Sequence, residues 1–367
     1  MCRVRAGVLL VVLGITACSP APPEPAAEPT TESVADFLAR TLPEGPGGTV
    51  IAARGDQILY CEGFGMADRE ERIPASCDTA YDIMSITKQF TAAAILRLEA
   101  MGELRVTDPI STYLGPVPDD KRDITVHHLL THTAGLVEGL GDDYDVMSRD
   151  AMLTQALSSE LRSRPGEEFH YSNVGYSMLA AIVETASGIG YERFLERHLF
   201  APAGMTSTGY VLPEWDRGQV AVEYDAQGRS QGRPYDHPWA EDGPHWNLRG
   251  NGGMVSTARD MFRWHRALTG GTVLPESARA ELFAPHAPIP ELGESYAYGW
   301  VVRDTEDGRI AWHDGGNGWS LANYAMAPDD GAMAFWVSNH AHRDDAWNLE
   351  DLEPDLTLGI LDRARTQ

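Results

Sequence analysis

Ser85 and Lys88 lie three residues apart in "MSITKQF", a spacing that puts both side chains on one face of a helix. A serine hydroxyl is a weak nucleophile until a neighbour removes its proton, and a neutral lysine can do so. Burial and a helix N-terminus both disfavour the ammonium form, which makes a base at this position physically reasonable. Arginine is no substitute, because its guanidinium stays protonated. The chain contains two lysines, Lys88 and Lys121, and otherwise places its fixed positive charge on arginine. Alone, the spacing is common, and a capping serine beside a surface lysine has the same pattern.

Two further stretches carry residue types that complete such a site. In "FHYSNVGY", Tyr171 and Asn173 flank a bend. A phenol near a cation is expected to have its pKa lowered and to relay a proton to a leaving group. Asn173 can donate to a substrate carbonyl. In "IAWHDGGNGW", His313, Gly315 and Gly316 end a predicted strand, where glycines leave an open backbone edge for a ligand. The amide N–H groups of Ser85 and Gly316 are then expected to form an oxyanion hole.

In this order, SxxK, YxN and HxG resemble the three motifs of the serine β-lactamase and penicillin-binding protein superfamily. The likeness is to its class C β-lactamase branch, with D,D-peptidase and carboxylesterase relatives. Segments such as "ITVHHLLTHTAGL", "LFAPAGMTSTGY" and "GNGGMVSTARDM" resemble that branch as well. The resemblance implies that Ser85 is acylated, that Lys88 and Tyr171 share proton transfer, and that Asn173 and His313 position substrate. It implies a small-molecule or peptide substrate and no cofactor or metal. One departure concerns specificity: class C β-lactamases have Lys where this chain has His313, and a histidine is largely neutral near pH 7.

Other constellations carry less. Gly318 to Ala322 approaches a GxSxG elbow but ends in Ala and precedes no helical pattern, so Ser320 is expected to belong to a strand pair. No CxxC, HExxH or Cys/His cluster suggests a metal. A non-catalytic reading, a tethered penicillin- or peptidoglycan-binding sensor, has no need for Ser85, Lys88 and Tyr171 together.

The elements that must position these residues follow from periodicity. "VADFLARTL" has helical spacing, and "GTVIAARGDQILYCEGFG" reads as two strands around Arg54-Gly55-Asp56. A helix from Ser85 onward is apolar nearly all round and predicts burial. Helix-like segments dominate residues 89–290, and alternating strands return from 291, closed by a helix expected from Trp347 to about Ala364. Residues 32–88 and 291–367 together predict an α/β (α+β) arrangement: an antiparallel sheet built from both chain ends, flanked by helices, with a mostly helical insertion. Joined to the resemblance, this is a β-lactamase/transpeptidase-like fold and one catalytic domain. The loop "HPWAEDGPHWNLRG" and Tyr144 are expected to wall the acyl pocket.

Composition bounds the partners. The chain has 367 residues, 43% hydrophobic, with a formal net charge of −25; nucleic acid and anionic membrane surfaces would be repelled. Residues 1–17 pair Arg3 and Arg5 with an apolar run too short to span a bilayer, as in a secretory signal. Ile15-Thr16-Ala17-Cys18 resembles a bacterial lipoprotein signal, and residues 18–31 form a proline-rich tether. An exported, periplasmic or cell-surface lipoprotein is the expectation, touching the membrane only through a lipid on Cys18. Its oligomeric state is left open. Cys61 and Cys77 are read either as a disulfide or as two buried thiols.

Overall fold

The computed structural model describes residues 32–366; the expected signal, tether and Cys18 lie outside them. Helix α1 (Val34–Thr41) leads into strands β1 (Gly48–Arg54) and β2 (Gln57–Phe64), joined by the expected turn at Gly55. A short strand, β3 (Ala80–Asp82), then delivers the chain through a single 3-10 turn, Met84–Ile86, into α2 (Thr87–Met101). The helical middle includes α3 (Val126–Leu130) and α4 (Asn173–Ser187), followed by β4 (Val255–Thr257) and α5 (Ala258–Thr269). The chain finishes with β5 (Ala287–Ile289), β6 (Glu294–Tyr296), β7 (Val301–Thr305), β8 (Gly308–Gly316), β9 (Leu321–Ala327), β10 (Ala332–Ser338) and α6 (Asp355–Thr366).

Eight strands form one antiparallel sheet in the order β5-β6-β7-β8-β9-β10-β1-β2. The C-terminal meander thus joins the N-terminal hairpin, with Gly48 opposite Ser338 and Arg54 opposite Ala332. Both chain ends do build the sheet, which also takes in Ala287–Ile289, ahead of the boundary expected at 291. The alternation of β10 shows how the faces are used: Met333, Phe335 and Val337 pack with α2 and the helical region, whereas Ala332, Ala334 and Trp336 pack with α1 and α6. In β8 the same alternation puts Ala311 in the inner core and Ile310 in the outer one, so His313 and Gly315 fall on the inner side.

Helix α2 runs through the middle of the larger core. Residues from Thr87 to Leu96 are buried, and Gly102 closes the helix in a left-handed conformation at φ 81°. It has neighbours on every side rather than one wet face, and buries Thr87, Lys88, Gln89 and Thr91 along with its apolar residues. The last helix differs from expectation: Trp347–Asn348 form a short strand, and α6 starts at Asp355. Pro354 explains this, since a proline disfavours helical backbone in the residue before it. Cys61 and Cys77 are disulfide-bonded, tying β2 to the segment before β3. In the chain-entropy picture such a closure stabilises the fold by about 3 kcal/mol.

Candidate active site

Ser85 sits at the entry to α2, on a turn that the backbone holds in an unusual shape. Met84, the residue before it, has φ +47°, a region that non-glycine residues rarely occupy and that stores strain at functional turns. Asp82 holds this shape: its Oδ1 accepts from the Met84 amide at 2.6 Å. Burial, reinforced by the nearby Glu223 charge, pushes the Asp82 carboxyl well above its ordinary pKa. The consequence is that Ser85 is lifted out of the helix while Lys88 stays inside it. Ser85 is partly exposed and Lys88 is fully buried.

Lys88 Nζ donates to Ser85 Oγ at 2.9 Å and to the Asn251 carbonyl at 2.8 Å. Neither acceptor is a carboxylate. Burial therefore lowers its pKa to about 7, against the opposing pull of Asp143, Asp314 and Glu138, so a large fraction is neutral at physiological pH. The Tyr171 hydroxyl neighbours Ser85, and its ring centroid lies 4.8 Å from Lys88 Nζ. Here the sequence-based expectation is reversed. Burial raises the Tyr171 phenol well above its usual pKa, outweighing the lowering by the neighbouring Ser85 hydroxyl, because desolvation penalises the phenolate. The resting triad therefore pairs a neutral phenol with a lysine poised to act as base.

Asn173 opens α4. Ser172 caps that helix by accepting from the Gly175 amide and donating to the Val137 carbonyl, and the Asn173 amide donates to the Glu138 carbonyl at 2.9 Å. Asn173 lines a cavity of about 340 Å³ together with Asp143, Met152, Ser177 and Trp246. Ser177 accepts from Asn251, the residue whose carbonyl holds Lys88, so this cavity is one residue removed from Lys88.

The strand carrying His313, Gly315 and Gly316 closes the other side. A Cβ on Gly315 would lie 2.8 Å from both the Ser85 nitrogen and the Ile83 oxygen, so only glycine permits this approach of β8 to the Ser85 turn. Gly316 is exposed, and a Cβ there would meet nothing nearer than 3.7 Å; its role must lie in its backbone. His313 is 2% exposed. Its Nδ1 faces the Asp314 carbonyl at 2.6 Å and its Nε2 faces the Tyr296 hydroxyl at 3.0 Å. A proton on Nδ1 satisfies the carbonyl and leaves Nε2 to accept from the tyrosine, which fixes a neutral tautomer. Burial lowers the His313 pKa in the same direction, partly offset by Asp314. Both ring nitrogens are thus already engaged within the protein.

Several supporting residues had no signature of their own. Asn251 contributes a main-chain carbonyl, Asp82 a backbone contact, and Gly299 a close approach, since a Cβ there would lie 2.8 Å from the Lys88 carbonyl oxygen. Ser320 is buried and donates to Glu223, which also accepts from Asn317 in the turn after Gly316. Tyr144, His237 and Trp319 bring three nearly parallel rings together from separate loops, with Tyr144 and His237 4.1 Å apart.

Comparison with known proteins identifies the family. The chain is 31% identical to "Penicillin-binding protein 4*" of Bacillus subtilis over 73% of its own length and 62% of the relative's. It is 32% identical to "Putative penicillin-binding protein PbpX" of the same organism over 69% and 60%. It therefore spans less than two thirds of these curated relatives. A penicillin binding protein of Bacillus halodurans superposes with a TM-score of 0.73 at 26% identity, covering 88% of this chain and 98% of that one. An octameric penicillin-binding protein homologue from Pyrococcus abyssi gives 0.74 at 23%, covering 90% and 74%, which speaks to the fold. The profile of the family described as Beta-lactamase matches residues 35–354, and on that match, with the fold and motif geometry above, the chain belongs to the β-lactamase family.

Proposed function

We propose that this protein is an exported serine hydrolase that works through an acyl-enzyme on ester, amide or β-lactam carbonyls. The observation that carries the proposal is the Ser85 hydroxyl held between a buried lysine with pKa about 7 and a neutral tyrosine. Neutral Lys88 takes the Ser85 proton as Oγ attacks the carbonyl, and the resulting oxyanion meets backbone N–H groups at Ser85 and Gly316. Tyr171, protonated at rest, passes a proton to the leaving group while Lys88 replenishes it. Water then enters by the same route in reverse, releasing the acid and restoring the triad.

Within this class, esters and amides lacking a carboxylate beside the scissile bond are the favoured substrates. His313 offers no free ring nitrogen and no fixed charge to a substrate carboxylate, and an unpaired carboxylate in a partly desolvated site is unfavourable. The names of the relatives support a second reading, penicillin recognition without catalysis. Export rests on the first 31 residues, with the Cys61–Cys77 bridge supporting an oxidising compartment; Cys18→Ser should release a lipid-anchored protein from the membrane fraction.

A fluorophosphonate probe should label Ser85 in the wild type. A folded but unlabelled protein would sink the hydrolase reading. Turnover of a short-chain nitrophenyl ester should exceed that of a chromogenic cephalosporin and of a D-Ala-D-Ala peptide; the opposite order would overturn this substrate preference, and penicillin binding without turnover of any of the three would favour the second reading.

A further inference from the structure

His132 is buried, lies outside the three motifs and has no part in the proton transfers described above, yet it holds the Tyr171 segment directly and reaches β8 through Tyr296. We propose that His132 is a positioning residue that sets the height of the Tyr171 phenol over Ser85; this rests on the hydrolase reading given above.

The argument starts with the backbone. Helix α3 stops at Leu130, and His132 adopts φ +58°, a left-handed conformation disfavoured for a side chain as large as imidazole. That conformation aims two acceptors at one short stretch of chain. The His132 carbonyl accepts from the His170 amide at 2.8 Å, and His132 Nδ1 accepts from the Ser172 amide at 3.0 Å. These amides flank Tyr171 on either side. The tyrosine is held by the residue before it and the residue after it, both through one histidine.

The ring completes the clamp. It lies 4.4 Å from the Tyr171 ring, 5.0 Å from Tyr176 and 4.5 Å from Tyr296, separations at which aromatic pairs attract beyond simple burial. Tyr296 in turn meets His313 on β8. One side chain thereby spans the Tyr171 bend and, through a single tyrosine, the strand of Gly315 and Gly316. With Nδ1 accepting, the ring proton sits on Nε2, which is buried without a protein acceptor. Burial keeps the ring neutral, its pKa far below the ordinary value, and neutrality is required, because a protonated Nδ1 could no longer accept from Ser172.

A residue that positions the proton donor to the leaving group should matter most when the leaving group needs that proton. In His132→Leu, kcat on an alkyl ester should fall about 100-fold, on the matching nitrophenyl ester about 10-fold, with KM within about threefold on both. Tyr171→Phe should show the same dependence on the leaving group, and the double variant should lose little more than Tyr171→Phe alone. His132→Asn, which keeps an acceptor and tolerates positive φ, should recover part of the loss. An equal loss on both esters, wild-type kinetics in His132→Leu, or additivity with Tyr171→Phe would each overturn the proposal. Should His132→Leu not fold, the two-ester comparison on His132→Asn decides in the same way. A wild type that neither labels at Ser85 nor turns over either ester removes the hydrolase reading and this inference together, whereas a labelled wild type with a leaving-group-independent loss removes this inference alone.

Discussion

The two lysines of this chain are both buried, and their surroundings differ in one respect. Lys121 is 1% exposed, and its ammonium meets the Asp120 carboxylate at 2.8 Å and the Ser159 carbonyl at 2.7 Å. Lys88 is 0% exposed and meets only neutral oxygens, a hydroxyl and a carbonyl. Burial with a carboxylate partner makes an ion pair; burial without one makes a base. What turns an ordinary lysine into a candidate catalyst is therefore a missing counter-ion in contact, and the same fold supplies the control.

That contrast can be tested in order of expected effect. Lys88→Met should lower acylation by about 10⁴-fold, the upper range for loss of a general base, and should cost about 1–3 kcal/mol of stability, since the buried Asn251 carbonyl loses its donor. Stopped-flow labelling beside a thermal melt reads both. Lys88→Arg should be as inactive as Lys88→Met, and near-normal acylation by it would refute the base assignment.

The pH profile of the wild type comes next. Acylation needs neutral Lys88, whose pKa is about 7, so kcat/KM should rise about tenfold per pH unit below 7 and level off above it. A limb centred near 10 instead would mean that burial has not made a base of this lysine. Smallest in its effect on chemistry is Lys121→Met. It should lose about 1–3 kcal/mol of stability through the unsatisfied Ser159 carbonyl, seen as a lower denaturation midpoint, with kcat/KM within about threefold of wild type.

The contrast also marks how far the sequence could be read. Ser85, Lys88, Tyr171, Asn173, His313, Gly315 and Gly316 stand out because their types and spacing are tied to chemistry, and the sheet from both chain ends follows from strand periodicity at either end. What escapes is set by three-dimensional surroundings. The Tyr171 phenol was expected to be acidified by a neighbouring cation, but burial acts on both groups and reverses the direction. Asn251 matters through a carbonyl that every residue possesses. The Met84 conformation follows from how Asp82 caps a turn, and His132 reads locally as part of a helix that in fact ends two residues earlier. Cys61 and Cys77 needed their 6.0 Å Cα separation before the bridge could be distinguished from two thiols.

The pairing of β1 with β10 has a consequence for synthesis. A ribosome releases the nucleophile turn and α2 early, but β8, β9 and β10 emerge more than 200 residues after Ser85, as the positions of 85 and 308–338 require. Until residue 338 is out, the strand that joins the N-terminal hairpin to the rest of the sheet does not exist, and β8 has no scaffold to hold Gly315 against Ser85. Such distant pairing makes folding slow. It also means that a chain lacking residues 308–338 carries Ser85 and Lys88 without the glycine strand that packs against them.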